Sequence, residues 1–248
     1  MTSRALRLTG IALVLTALAA LLGTSATGTQ DAGPAPGNTP RATSTTTPTD
    51  TPRPDFARMV REQAETDRVW RAASDGYMRM EKITYRSSKG DLEIPAFVFQ
   101  PLSLRGTQRH PGLVWVHEDI RGHLYERHIP FIREAVARGF VVIAPEYRGS
   151  IGYGRTFYDA IDYGGAEVDD VVTAVSVLKT QYPAVECANI GIIGWSHGGF
   201  IALHAIFRNP VTFRAAAALV PVTNLFHRLA RKGVEQTRRR AINRRTVS

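Results

Sequence analysis

The 248-residue sequence predicts an α/β fold, a mostly parallel sheet flanked by helices, and three observations carry that prediction. The first is the stretch from Asn189 to Phe200. Ile190, Ile192 and Ile193 form a β-branched run of the kind buried on both faces of a sheet, the glycine-rich corner Gly194-Trp195-Ser196-His197-Gly198-Gly199 follows, and Phe200, Ile201, Ala202, Leu203, Ala205 and Ile206 read as a buried helix. The second is the alternation of short apolar runs with helix-patterned segments upstream of that corner, which points to a parallel sheet covered on both faces. The third is size, because roughly 190 residues follow Asp55, enough for one sizeable core.

Before that core the chain has two segments of different character. Arg4 and Arg7 stand near the start without an acid, Ile11 to Leu22 is apolar except for Thr16, and Gly23, Thr24, Ser25 and Ala26 supply small residues. This is the layout of a secretory signal peptide, expected over 1–26 and removed after Ala26, which implies a secreted or periplasmic protein. An apolar core of about a dozen residues is short for a span of about 20, so a retained membrane anchor is the lesser alternative, and contact with a membrane is expected only transiently, during export. Residues 27–54 are rich in Thr, Pro, Ser, Gly and Ala and cannot bury enough surface to offset their ordering entropy, so they read as a disordered linker.

The elements of the domain expected over 55–227 follow in order. Phe56, Val60, Ala64 and Val69 are spaced for a surface helix over 55–73. Ile83-Thr84-Tyr85 and Ile94 to Phe99 are strand-like runs around Ser87-Ser88-Lys89-Gly90-Asp91, a hairpin. Leu113 to Val116 is a short buried strand, 125–138 fits a helix, and 140–144 is another buried strand. Val171, Val172, Val175 and Leu178 mark a helix whose leading acids, Asp169 and Asp170, suit capping and dipole roles better than catalysis. The strand at the corner, its helix and a final strand over 215–220 complete the pattern. Cys187 is the only cysteine, so no internal disulfide is possible, and its place just before a buried strand favours a small packed side chain.

The corner carries the chemistry. Gly194-Trp195-Ser196-His197-Gly198 fits the G-x-S-x-G nucleophile elbow, in which a serine at a sharp strand-to-helix turn needs glycine two residues to either side. Ser196 is the candidate nucleophile, and the N–H of His197, with the positive end of the helix, is placed to meet a developing oxyanion. The plain alternative is a glycine-rich turn with a solvent-exposed serine.

Gly194-Trp195-Ser196-His197-Gly198-Gly199 resembles the active-serine segment of the prolyl oligopeptidase family of serine peptidases. Tyr147-Arg148-Gly149-Ser150-Ile151-Gly152-Tyr153-Gly154 is similar to that family's segment after the fourth strand, and Lys82 to Pro101 fits its entry to the catalytic domain. The resemblance covers Ile83 to Leu225. It implies an α/β-hydrolase fold, hydrolysis of peptide or related acyl bonds without a cofactor, and no β-propeller within this chain. One segment departs. Where these peptidases have His-Gly-Gly-Pro or a tyrosine-containing variant, this chain has His117-Glu118-Asp119-Ile120-Arg121-Gly122, closer to the His-Glu-x-x-Gly of dienelactone hydrolase-like enzymes, whose substrates are esters and lactones. By either resemblance the second oxyanion N–H comes from Glu118, and a carboxylesterase or dienelactone hydrolase-like activity is the alternative to a peptidase.

Other chemistries fit less well. His117, His123 and His128 with Glu118 and Asp119 suggest a metal, but Arg121 breaks the H-E-x-x-H spacing, so no metal is expected. Gly149, Gly152 and Gly154 do not make a dinucleotide fingerprint and suit a tight loop beside the site.

The end of the chain departs furthest from the family. The triad order is Ser, then Asp or Glu, then His, yet no Asp follows Ser196, and Glu235, the one acid there, precedes no His. The fold is therefore expected to lack its last strands. Residues 228–248 hold eight Arg and Lys against Glu235, which contributes +7 of the formal +9. Without aromatic interleaving this run reads as a solvated basic tail rather than a nucleic-acid site, and a frame-shifted or truncated ending explains it best. The rival to a serine hydrolase is thus a non-catalytic fragment.

Overall fold

A right-handed connection from one strand to the next decides which face of a sheet a helix covers, and here the strand order does the sorting. A computed structural model describes residues 53–104 and 109–224, together with 228 and 230. The expected signal peptide, nearly all of the linker and nearly all of the basic tail lie outside the described residues. Those from Asp55 to Thr223 form one compact unit.

Helix α1 (Phe56–Ser74) is capped by the Asp55 carboxylate, which accepts the Arg58 N–H at 2.9 Å. Strands β1 (Met78–Arg86) and β2 (Glu93–Pro101) form the expected hairpin. Both run longer than their β-branched cores suggest, because register pairing carries the mixed sequence Met78 to Lys82 along with it. Strand β3 (His110–Val116), a single 3-10 turn (Glu126–His128) and α2 (Ile129–Ala137) lead to β4 (Val141–Pro145). The helix expected over 125–138 is thus divided, with Pro130 in the first turn of α2, where its missing N–H has no helical partner to lose. Helices α3 (Gly154–Asp159) and α4 (Ala166–Gln181), strand β5 (Val185–Trp195), helix α5 (His197–Arg208) and strand β6 (Ala215–Leu219) follow.

Among the described residues the sheet order is β1-β2-β4-β3-β5-β6. β1, β2 and β4 pair antiparallel, whereas β4, β3, β5 and β6 run parallel. The chain enters the parallel part at β3, steps to β4 on one side and returns to β5 on the other. Right-handed crossovers therefore put α2 on one face and α4 and α5 on the opposite one, and α4 does pack against α5 while α1 packs against α2. The reversal makes the C-terminal ends of β3 and β5 the topological switch point, where open α/β sheets bind ligands. The α1 face is sealed by Trp70, whose ring lies 5.0 Å from Phe99 and whose Nε1–H donates to the Leu124 carbonyl at 2.9 Å.

Two expectations about single residues are corrected. Cys187 is exposed rather than packed. Pro111 pairs with Glu186 but Gly112 pairs with Ile190, so the residues between are pushed out of the ladder as a bulge. Asp170 does not cap α4. The Asp162 carboxylate accepts the Ala166 N–H there, and that of Glu167 accepts the N–H groups of Gly164 and Gly165. Asp170 is instead fully buried as the partner of Arg148.

Candidate active site

Ser196 stands between β5 and α5 with φ 50° and ψ −110°, a left-handed conformation that a side chain rarely adopts and that costs about 1–3 kcal/mol. Backbone bonds hold it there. Its N–H donates to the Leu219 carbonyl at 2.9 Å, and its own carbonyl accepts the N–H groups of Phe200 at 3.0 Å and Val222 at 3.2 Å. The exit of β6 thus pins the corner from one side.

The glycines make the turn possible by closeness of backbone. A Cβ on Gly194 would overlap the Gly198 carbonyl, and a Cβ on Gly198 would overlap the carbonyl oxygens of Val116 and His117. The second overlap shows what the corner rests on: the end of β3 and the start of its loop. Ser196 is half-exposed, and His197, the first residue of α5, has no intrahelical acceptor for its N–H. The His197 side chain is fully buried beside Phe200, its Nε2 3.7 Å from Glu167 Oε1.

Glu118 is buried in the loop after β3. Its carboxylate pairs with Arg127 and accepts from His128 Nε2 at 2.7 Å. Burial alone would raise its pKa, but the His128 hydrogen bond, His128 and Arg127 together hold it down to about 2. His117 lies alongside, its Nδ1–H donating to the Glu118 carbonyl at 2.8 Å and its Nε2 3.0 Å from the Ser150 hydroxyl. Desolvation lowers the His117 pKa to about 3, so the ring is neutral. The Ser150 hydroxyl also lies 2.7 Å from the Tyr147 carbonyl, so its one proton is given either to that carbonyl or to His117. His123 Nδ1 bonds to Gln63 Oε1 at 3.1 Å. The three histidines that suggested a metal are thus each occupied by protein groups, and among the described residues no cluster of metal-ligating side chains converges.

The loop after β4 closes the other wall. Gly149 and Gly152 have φ near +95° and +92°, and a Cβ at Gly149 would press on Ile161. Glu146, fully buried at the end of β4, accepts the Leu124 N–H at 2.9 Å through Oε1, while Oε2 has no hydrogen-bond partner. Desolvation raises its pKa to about 8. Between the unfolded value near 4.5 and about 8 the folded chain holds a proton that the unfolded chain has lost, so stability falls as pH rises through that window. Glu146→Gln keeps an acceptor for Leu124 and cannot ionise. Its melting temperature is expected to exceed that of the unsubstituted protein increasingly from pH 5 to pH 8.5. Parallel melting curves over that range would refute the assignment.

The corner after Ser196 and the end of β3 come together, with Gly198 against the carbonyls of Val116 and His117. Glu146, Glu167 and Arg127 escaped sequence reasoning, and Asp170 and His128 were given other roles there, because each is defined by partners or burial that only folding supplies. Among the described residues no side chain hydrogen-bonds the Ser196 hydroxyl, and His227 lies outside them.

Comparison with known proteins agrees with this architecture. The sequence model of the prolyl oligopeptidase family matches residues 129–235. Mouse dipeptidyl peptidase 8 is 27% identical over 154 residues, which is 59% of this chain and 17% of that protein. The human acylamino-acid-releasing enzyme is 31% identical over 137 residues, 54% of this chain and 18% of its own length. The chain thus spans about a fifth of the curated relatives it matches. Among solved structures, a puromycin-hydrolyzing peptidase of Mycobacterium tuberculosis superposes with a TM-score of 0.52 at 25% identity, covering 59% of this chain and 23% of the other. The strand order, the corner at Ser196 and these matches agree: the chain has an α/β-hydrolase fold, and its residues 129–235 match the prolyl oligopeptidase family of serine peptidases.

Proposed function

We propose that this domain carries out serine-type acyl chemistry on peptide bonds, with Ser196 as nucleophile and the N–H groups of His197 and Glu118 as oxyanion donors, in an exported protein. The left-handed backbone at Ser196 carries the reading. A non-glycine residue is held in a costly conformation where strand, helix and the β3 loop converge, and such strain clusters at functional sites. The mechanism that follows is attack of Ser196 Oγ on the acyl carbon, charge collecting on the carbonyl oxygen between the two N–H groups, and cleavage of the C–N bond as the hydroxyl's proton passes to the nitrogen, so that a neutral amine departs and an acyl-enzyme remains.

A fluorophosphonate tests this directly, since it forms a covalent bond to a serine Oγ and releases fluoride. Slow but single-site labelling at Ser196 is expected, abolished by Ser196→Ala. Labelling elsewhere, or none, would overturn the nucleophile. The Glu118-containing loop supports a second reading, ester hydrolysis. Export rests on Arg4, Arg7 and the apolar run 11–22, and predicts that secreted protein begins at Thr27. An intact Met1 end in a membrane fraction would refute it.

A further inference from the structure

We propose that His128, assisted by Arg127, grips the Glu118 carboxylate and thereby sets the orientation of the Glu118 N–H as an oxyanion donor. His128 is on this account a positioning residue, and the proposal rests on the reading of Ser196 as nucleophile.

The chain has a particular need for such a grip. The loop after β3 carries Glu118 and Asp119 in succession, and Asp119 sits at φ 65° at the start of a tight turn closed by Gly122 N–H donating to the Asp119 carbonyl at 3.1 Å. A peptide plane is rigid, so the direction of the Glu118 N–H is set by what holds the two ends of the His117–Glu118 unit. One end is the His117 carbonyl, which accepts the Tyr147 hydroxyl at 3.3 Å and lies against Gly198. The other is the Glu118 Cα, whose side chain is tied at both oxygens, Oε2 to His128 Nε2 at 2.7 Å and Oε1 to Arg127. The Glu118 carbonyl is tied as well, by His117 Nδ1–H.

The placement of His128 joins this loop to the nucleophile. Its ring is buried, edge-on to Trp115 of β3 at 5.3 Å and 5.7 Å from Trp195, the residue immediately before Ser196. Trp115 and Trp195 are themselves 6.4 Å apart, with Phe131 5.8 Å from Trp195. A single imidazole therefore touches the wall behind the serine and anchors the residue that supplies the opposing N–H. The two halves of the oxyanion site come from separate strands, and His128 registers one against the other. Charge favours the grip too, because the ionised carboxylate accepts from buried His128 and from the more exposed Arg127.

The experiment pairs substitutions that keep or remove the anchoring hydrogen bond. His128→Gln retains a donor to the Glu118 carboxylate, whereas His128→Phe and Glu118→Leu remove one side of the bond. Two quantities are measured on the full chain: the fluorophosphonate labelling rate at Ser196, and amide hydrogen exchange at residue 118. Removing an oxyanion donor costs about 10²–10³-fold and a misplaced one costs part of that, so His128→Phe and Glu118→Leu are expected to label about 10–100-fold more slowly. Exchange at residue 118 is expected to rise more than about 10-fold in the same two variants, and His128→Gln to stay within about threefold of the unsubstituted protein in both measurements. Should His128→Phe not fold, Glu118→Leu gives the same reading with His128 in place. Equal labelling rates in all folded variants, with Ser196→Ala unlabelled, would overturn the grip while leaving the nucleophile standing. Failure of the unsubstituted protein to label at Ser196 would overturn the nucleophile and the grip with it.

Discussion

Steady-state hydrolysis of an activated ester or a proline-containing peptide by a protein of these 248 residues is expected to stay within about 10³–10⁴-fold of the uncatalysed rate. That is the level serine proteases keep when a triad member is lost and only the oxyanion hole and binding remain. A serine hydroxyl needs a base to take its proton, and none of the described histidines hydrogen-bonds Ser196. His117 is neutral, buried and bonded to Ser150, with a pKa near 3. His123 is held by Gln63, His128 by Glu118, and His110 by the Gly139 carbonyl. His197 turns its ring into the interior, toward Glu167. His204 lies seven residues along α5 from its start, against Phe200. In the part of the sequence after Ser196 no Asp occurs, and Glu235 precedes no His. Purified protein with Ser196→Ala as control decides the matter. Fast turnover abolished by that substitution would show that a base does reach Ser196, with His227 the first residue to replace.

Arg148→Met is expected to destabilise the domain by about 3–5 kcal/mol, the range for breaking a buried ion pair from one side. Asp170 is fully buried and receives Arg148 Nε and Nη2, each at 2.8 Å, the Arg148 N–H at 3.0 Å and the Ser87 hydroxyl at 2.5 Å. Arg148 also donates to the Lys89 carbonyl, and Tyr85 donates to the Asp170 carbonyl at 2.7 Å. One carboxylate thus fastens the β1–β2 hairpin, the loop after β4 and helix α4. Removing the guanidinium leaves that charge in the interior with the Ser87 hydroxyl and one backbone N–H. For a domain of this size the loss lowers the melting temperature by roughly 6–20 °C. The double variant Arg148→Met, Asp170→Leu is expected to recover much of it, because no charge then stays buried. Equal stability of Arg148→Met and the unsubstituted protein would show that solvent reaches Asp170.

What the sequence made legible and what it hid differ in range. Ile190, Ile192 and Ile193 announce a buried strand because their pattern is complete within four residues. The corner at Ser196 is legible for the same reason: every glycine it needs stands within three positions of the serine. The parallel sheet follows from alternation, and its observed order agrees. Asp170 was misread because its neighbours in sequence resemble a helix start, while its real partners, Ser87 and Arg148, lie 83 and 22 residues away. Glu146 ends a strand as an ordinary acid would, and only the packed loops around it raise its pKa. Cys187 was misplaced because a bulge cannot be seen from one strand alone. It arises when β3 and β5 are paired and three residues are left over.

That bulge has a practical side. Cys187 is the only thiol in the chain, it is exposed, and it lies nine residues before Ser196, toward the start of β5 and at most about 30 Å away at ~3.3 Å per residue. A maleimide dye, spin label or solid support attached there gains a single defined address toward the opposite end of β5 from the serine. Immobilised through that sulfur, every molecule would present the serine end of the sheet to solution in one orientation.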